Sequence, residues 1–185
     1  MAKRLTLILG GARSGKSAFA QELARERGGD AVIFVATAQA RDDEMSERIE
    51  AHRARRPAVW QTIEAPREIA QALETARGKP RVVVIDCLTL LVSNVLLADE
   101  SEAEVRLMDE VDALIAWQRS HAAEMIVVSN EVGMGLVPEY PLGRAYRDRL
   151  GVINQRVGRQ ADEVFLMVAG LPVEIKSLAA RPFDV

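Results

Sequence analysis

The sequence predicts a single α/β domain with a mainly parallel sheet, helices on both faces and a C-terminal antiparallel hairpin. Three observations carry that expectation. Unbroken apolar runs near residues 5, 31, 81 and 125 have the composition of strands buried on both faces. Helix-period segments separate these runs, so successive strands are expected to be joined by right-handed crossovers. A glycine-rich loop follows the first run directly and opens the first helix.

Taken in order, Leu5-Thr6-Leu7-Ile8-Leu9 is the first strand. Residues 17–27 then carry Phe19, Ala20, Leu23 and Ala24 at helical spacing, and Gly28-Gly29 ends that helix. Residues 31–36 form the second buried strand. Asp42-Asp43-Glu44 starts a helix, its acidic turn suited to the positive end of the helix dipole. That helix reaches about Arg55, and Pro57 closes it. Trp60-Gln61-Thr62-Ile63-Glu64 reads as a strand. Pro66 fits the first turn of a helix reaching about Arg77, and Gly78-Lys79-Pro80 is a turn.

Residues 81–86 are the third strongly buried strand, with Asp86 at its carboxyl end, and 88–97 form a short helix. Over 102–120, Val105, Met108, Val111 and Ile115 recur near the 3.6-residue period, which predicts a surface helix with one apolar stripe. Residues 125–129 are the next strand. Residues 142–160 are expected to be helical, with Gly151 as a weak point. Two runs, 164–168 and 173–176, pair as a hairpin around Gly170-Leu171-Pro172. No repeat or linker divides the chain, so 1–185 is expected to form one nucleotide-binding domain.

Composition narrows the function classes. The chain is 49% apolar and 28% charged, an ordinary globular balance. Its formal net charge of -3 argues against a protein dominated by contacts to a nucleic-acid backbone. Cys87 is the only cysteine, which rules out an intrachain disulfide and a zinc site of paired thiolates. The first residues lack the long core and cleavage site of a signal peptide, and no apolar stretch approaches a membrane span. A cytoplasmic setting is expected, with neither nucleic acid nor membrane as partner.

Gly10-Gly11-Ala12-Arg13-Ser14-Gly15-Lys16-Ser17 matches the phosphate-binding pattern G-x-x-x-x-G-K-[ST]. Glycines let the backbone wrap a phosphate so that successive N–H groups face it, and the helix N-terminus adds positive potential. Lys16 supplies a cation to the β and γ phosphates, and Ser17 a hydroxyl ligand for Mg²⁺. Asp86 ends an apolar strand as the acidic partner of such a loop does, and is expected to hold the same Mg²⁺. The fold class expected is therefore a single-domain P-loop NTPase (RecA-like). Two features of the switch GTPases are missing: no Asn-Lys-x-Asp occurs, and the strand ending in Asp86 is followed by Cys87-Leu88-Thr89 and not by the pattern Asp-x-x-Gly.

Two histidines remain. His121 ends a helix and reads as a solvated cap. His52 shares a helical face with Arg48, Arg55 and Arg56. A neutral imidazole is a good nucleophile toward phosphorus, and nearby guanidiniums favour the neutral form while neutralising phosphate charge. From the residues alone, a half-exposed histidine on an arginine-rich surface helix is the commoner case. Arg144, Arg147, Arg156 and Arg159 lie near Asp148 and Asp162 and read as a solvated charged helix.

One ordered set of segments is more specific. It comprises the phosphate loop, Ala36-Thr37-Ala38, Asp42-Asp43-Glu44-Met45, Arg48-Ile49-x-x-His52-Arg53 with Arg56-Pro57, and Asn130-Glu131-Val132-Gly133-Met134-Gly135-Leu136-Val137-Pro138. With Arg147-Asp148, Gly151-x-x-Asn154-Gln155-Arg156 and Ala161-Asp162-Glu163-Val164, it resembles adenosylcobinamide kinase/adenosylcobinamide-phosphate guanylyltransferase across essentially the whole chain.

The resemblance implies phosphorylation of adenosylcobinamide by ATP or GTP. It then implies transfer of GMP from GTP to adenosylcobinamide phosphate through a guanylylated histidine, matched here by His52. It further implies that Gly10 through Ser17, Ala36, Thr37, Ala38, Arg53, Ala54, Arg55, Arg56, Glu64 and Asp86 surround the nucleotide, and that the protein forms a homotrimer. Some relatives carry Glu in place of Asp86. Glu131 is a candidate kinase base, from its place at a strand's carboxyl end. Two rival readings are a single-activity small-molecule kinase, with His52 an ordinary surface residue, and a nucleotide-gated binding protein.

Overall fold

Apolar side chains occupy both faces of the five inner strands of the sheet, and that doubling explains the unbroken runs. The computed structural model describes residues 3–40, 43–54 and 56–178. Asp42, Arg55 and the side chains at positions 44, 45, 48, 51 and 52 lie outside the described residues. Strands β1 (Leu5–Gly10), β2 (Val32–Ala36), β3 (Gln61–Glu64), β4 (Val82–Asp86), β5 (Glu124–Val128), β6 (Glu163–Val168) and β7 (Leu171–Glu174) make one sheet. Its order is β3-β2-β4-β5-β1-β6-β7, parallel throughout except for the β6–β7 edge. Helices α1 (Lys16–Gly28), α2 (Asp43–Ala54), α3 (Ile69–Glu74), α4 (Leu88–Ala98), α5 (Ala103–Ser120) and α6 (Pro141–Gln160) connect the strands.

Alternation along each strand divides the core in two. Leu7, Val35, Ile85 and Val127 join α3, α4, α5 and α6 in the larger cluster, whereas Ile8, Phe34, Val84 and Ile126 meet α1 in the smaller. Phe34, Leu7 and Ile85 are completely buried. Each such side chain contributes roughly 1.5–3 kcal/mol through its removal from water. At the opposite sheet end from the phosphate loop, Arg27 joins Thr6, Glu124 and Glu163 across three strands. Among the described residues no helix is long and apolar enough to cross a membrane.

Four local expectations are corrected. Pro66 does not open a helix: α3 begins at Ile69, after Glu68 in the left-handed region. Distant side chains hold this segment out of the helix. Asn94 Nδ2 donates to Pro66 O at 3.1 Å, while the Glu110 carboxylate accepts from Glu68 N and Ile69 N. On α5 Val111 and Ile115 are buried and Met108 packs on the core as expected, with Leu107, Leu114 and Gln118 beside them, but Val105 is exposed. The hairpin turns at Ala169-Gly170, both with positive φ, so Leu171 and Pro172 belong to β7.

Gly151 does not interrupt α6, which runs from Pro141 to Gln160. A Cβ at Gly151 would meet nothing within 4 Å. Gly151→Ala is therefore expected to stabilise the protein by about 0.5–1 kcal/mol, by removing backbone freedom from the unfolded chain. Denaturant unfolding would show this as a raised midpoint with an unchanged slope. A lowered midpoint would contradict it.

Candidate active site

The phosphate loop is the turn from β1 into α1. Gly10 leaves β1 with φ 153°, and a Cβ there would lie 2.7 Å from both Met167 O and Ser14 Oγ, so the position admits only glycine. Arg13 and Gly15 follow with positive φ of 57° and 97°, and Gly15 is the N-cap of α1. Such a run turns backbone N–H groups toward one point at the positive end of the helix, the geometry of an anion nest. Lys16 is only 8% exposed and lays its ammonium across the loop. Its Nζ donates to Gly11 O at 2.6 Å and to Ser14 Oγ at 3.5 Å.

Asp86 ends β4, and the turn beyond it is held from below. Thr37, fully buried, donates through Oγ1 to Cys87 O at 2.7 Å and accepts from Cys87 N at 2.8 Å. Asn94 Nδ2 in turn donates to Thr37 O at 2.8 Å. The Asp86–Cys87 peptide bond is cis. Between this turn and the phosphate loop opens a cleft of about 590 Å³, within the range of nucleotide-sized sites.

Of the sequence-predicted residues, Ala12, Arg13, Ser14, Gly15, Lys16, Ser17, Ala36, Ala38, Arg56 and Asp86 line the cleft. Gly10 and Gly11 shape the loop itself, and Thr37 supports the Asp86–Cys87 turn. Arg53 and Glu64 are exposed and face each other at 3.9 Å; Ala54, the last residue of α2, is also exposed. Arg55 and the side chain of His52 lie outside the described residues. The backbone of His52 lies in α2, three residues beyond Ile49, which lines the cleft. The Glu131 carboxylate accepts from Gly133 N at 2.6 Å within its own turn.

Arg56 brings a further cation to the cleft, beside Lys16 and Arg13. Its guanidinium carbon lies 3.8 Å from the centroid of the Phe34 ring, which seats it against β2. Burial lowers its pKa from the ordinary arginine value, and the charge of Asp86 opposes that shift. It remains a planar, partly desolvated cation suited to phosphate. Ser17 and Asp86 add a hydroxyl and a carboxylate, hard oxygen donors that suit Mg²⁺, whose shell is completed by phosphate and water.

Sequence reasoning passed over Ile49, Cys87, Thr89, Leu90, Val128 and Asn130 as lining residues. Asn130 opens the distinctive 130–138 segment and could have been found from it. The arginines of α6 are mostly engaged elsewhere. Arg144 donates to Pro138 O and Glu139 O, Arg147 pairs with Asp148, and Arg156 holds Asp112 in two-point contact at 2.8 and 3.0 Å. His121 caps α5 and stacks on Trp117.

Cys87 gives a pH-dependent handle on the cleft. Burial pushes its thiol up to about 11, with Asp86 adding to the shift. A raised pKa keeps the reactive thiolate scarce below that value, so reactivity climbs as pH rises. In metal-free buffer, alkylation of Cys87 at pH 8 is expected to run about 10²-fold slower than for an ordinary thiol, rising roughly tenfold per pH unit. Mass spectrometry between pH 7 and 9 would follow it. A plateau near pH 9 would contradict the assignment.

A phosphate loop on β1, an acidic strand end two places away on β4, and a parallel sheet between helices define a P-loop nucleotide-binding protein of the RecA-like α/β type. The fold resembles the crystal structure of the RadB recombinase at a TM-score of 0.51 and 14% identity, covering 89% of this chain and 74% of that one. The family model for cobinamide kinase / cobinamide phosphate guanyltransferase matches residues 6–175, and the chain belongs to that family of bifunctional enzymes. Among curated relatives, the bifunctional adenosylcobalamin biosynthesis protein CobP of Pseudomonas aeruginosa is 46% identical, over 92% of this chain and 96% of its own. The bifunctional adenosylcobalamin biosynthesis protein CobU of Salmonella typhimurium is 40% identical, over 93% of this chain and 99% of its own.

Proposed function

We propose that this enzyme phosphorylates adenosylcobinamide with ATP or GTP, then converts the phosphate to adenosylcobinamide-GDP through GMP carried on His52. The observation that supports it is the convergence of Lys16, Ser17, Arg56 and Asp86 on one cleft, against which α2 presents Ile49 one turn before position 52. A single phosphate grip then serves two reactions.

In the first reaction, the aminopropanol hydroxyl oxygen attacks the γ-phosphorus, its proton passes to water, and the bond to the β-phosphate oxygen breaks. Lys16 and the loop N–H groups hold the β and γ phosphates while charge moves onto the departing diphosphate. In the second, a ring nitrogen of His52 attacks the α-phosphorus of GTP and expels pyrophosphate. An oxygen of adenosylcobinamide phosphate then attacks the same phosphorus, forms the new pyrophosphate link and frees the imidazole. Double displacement replaces one attack by a weak nucleophile with two, each having a good leaving group. Ser17 and Asp86 would hold Mg²⁺, which would supply charge neutralisation for the leaving phosphates. Because position 52 belongs to α2 and not to the phosphate loop, we expect α2 to move toward the α-phosphate when GTP binds.

The test uses purified protein with adenosylcobinamide. Label from γ-labelled ATP or GTP is expected to pass to the corrinoid, and label from α-labelled GTP to appear in adenosylcobinamide-GDP with release of pyrophosphate. Transfer of the γ label without the α label would reduce the protein to a kinase. Transfer of neither, with nucleotide bound, would make it a binding protein. The homotrimer implied by the resemblance belongs to the same proposal and is read by sedimentation.

A further inference from the structure

Strand β5 lies between β4 and β1, with Val128 level with Asp86 on one side and Ile8 on the other. Side chains alternate along a strand, so the next residue on the Val128 face is Asn130. Both residues line the cleft. Asn130 therefore stands between the strand that ends in Asp86 and the strand that delivers the phosphate loop. Its neighbour fixes the height, since Glu131 N donates to Gly10 O at 3.1 Å.

Two side chains from two different helices pin the backbone of Asn130. Asn130 N donates to Thr89 Oγ1 at 3.0 Å, and Asn154 Nδ2 donates to Asn130 O at 3.0 Å. Thr89 lies in the first turn of α4, Asn154 lies in α6, and both are buried. Asn154 makes this bond although its own Oδ1 is buried with no partner among the described residues, an arrangement that costs stability. Buried polar groups committed to one backbone hold its side chain in a fixed place, as a preorganised site requires. Among the described residues, the Asn130 carboxamide itself makes no hydrogen bond.

We propose that Asn130 is a phosphate-contacting residue whose carboxamide N–H donates to the terminal phosphate of the bound triphosphate, with Thr89 and Asn154 as its positioning residues. This rests on the cleft being the nucleotide site. A neutral donor between Asp86 and the phosphate loop distinguishes triphosphate from diphosphate. It also gains strength as charge builds on the phosphate being transferred or expelled.

The test is binding, by calorimetry with Mg²⁺ and without corrinoid, of an α,β-methylene analogue of GTP, which His52 cannot cleave, and of GDP. Asn130→Ala is expected to weaken the analogue about 10-fold or more and GDP by less than about twofold. Thr89→Val should show a smaller loss of the same selective kind, and Thr89→Ser, which keeps the hydroxyl acceptor, should restore wild-type binding. Equal losses for both nucleotides, or none, in a folded Asn130→Ala protein would overturn the assignment. If that variant does not fold, Asn130→Asp replaces it with the same selectivity expected and the same outcomes decisive. Wild-type protein that binds neither nucleotide would instead overturn the reading of the cleft.

Discussion

His52→Ala is expected to abolish GMP transfer, by at least about 10⁴-fold, while phosphorylation of adenosylcobinamide keeps most of its rate. In the proposed route the imidazole forms the bond to the α-phosphorus, and alanine offers no atom to replace it. Attack on the γ-phosphorus depends on the phosphate loop and the acceptor hydroxyl, and neither involves position 52. Parallel assays with γ- and α-labelled GTP on one preparation read the two rates separately. A variant that loses both reactions equally would make His52 a structural residue. One that keeps GMP transfer would remove the covalent route.

Lys16→Ala is expected to do the reverse and strike both reactions, each by about 10²–10³-fold. Its ammonium already sits over the loop through Gly11 O and Ser14 Oγ, so little rearrangement separates that position from a bound phosphate. On the proposed route one cation would stabilise diphosphate leaving in the kinase step and pyrophosphate leaving in the guanylyl step. Lys16→Arg should recover little, because the planar fork is longer and differently shaped than the ammonium the nest encloses. A variant impaired in only one reaction would require two separate phosphate grips.

These contrasting profiles rest on parts that differ in how plainly the sequence displays them. The phosphate loop is a local object: strand, glycines and helix are contiguous, and the pattern from Gly10 to Ser17 states the chemistry directly. Asp86 was legible for a similar reason, as the acidic end of an apolar run. Asn130 was not. Its position depends on β5 lying between β4 and β1, and sheet order is a long-range property that no run of residues records. The same physics explains the misplaced start of α3. Pro66 looks like a helix opener, but Asn94 and Glu110, from later helices, claim the polar groups of that segment. On α5 the stripe through Met108, Val111 and Ile115 was legible, and only its first member, Val105, lies in solvent. Arg56 stood out on an arginine-rich face, but only its seat on Phe34 near Asp86 shows how it is aimed.

On the proposed route one phosphate grip serves two transfers because His52 carries GMP between them. Incubating the protein with GTP labelled on the α-phosphate, without corrinoid, then denaturing and mapping the label tests it most directly. The expected result is acid-labile label on the peptide containing His52, absent from His52→Ala and discharged on addition of adenosylcobinamide phosphate. Wild-type protein that makes adenosylcobinamide-GDP yet never holds label, or His52→Ala protein labelled as strongly as wild type, would contradict it.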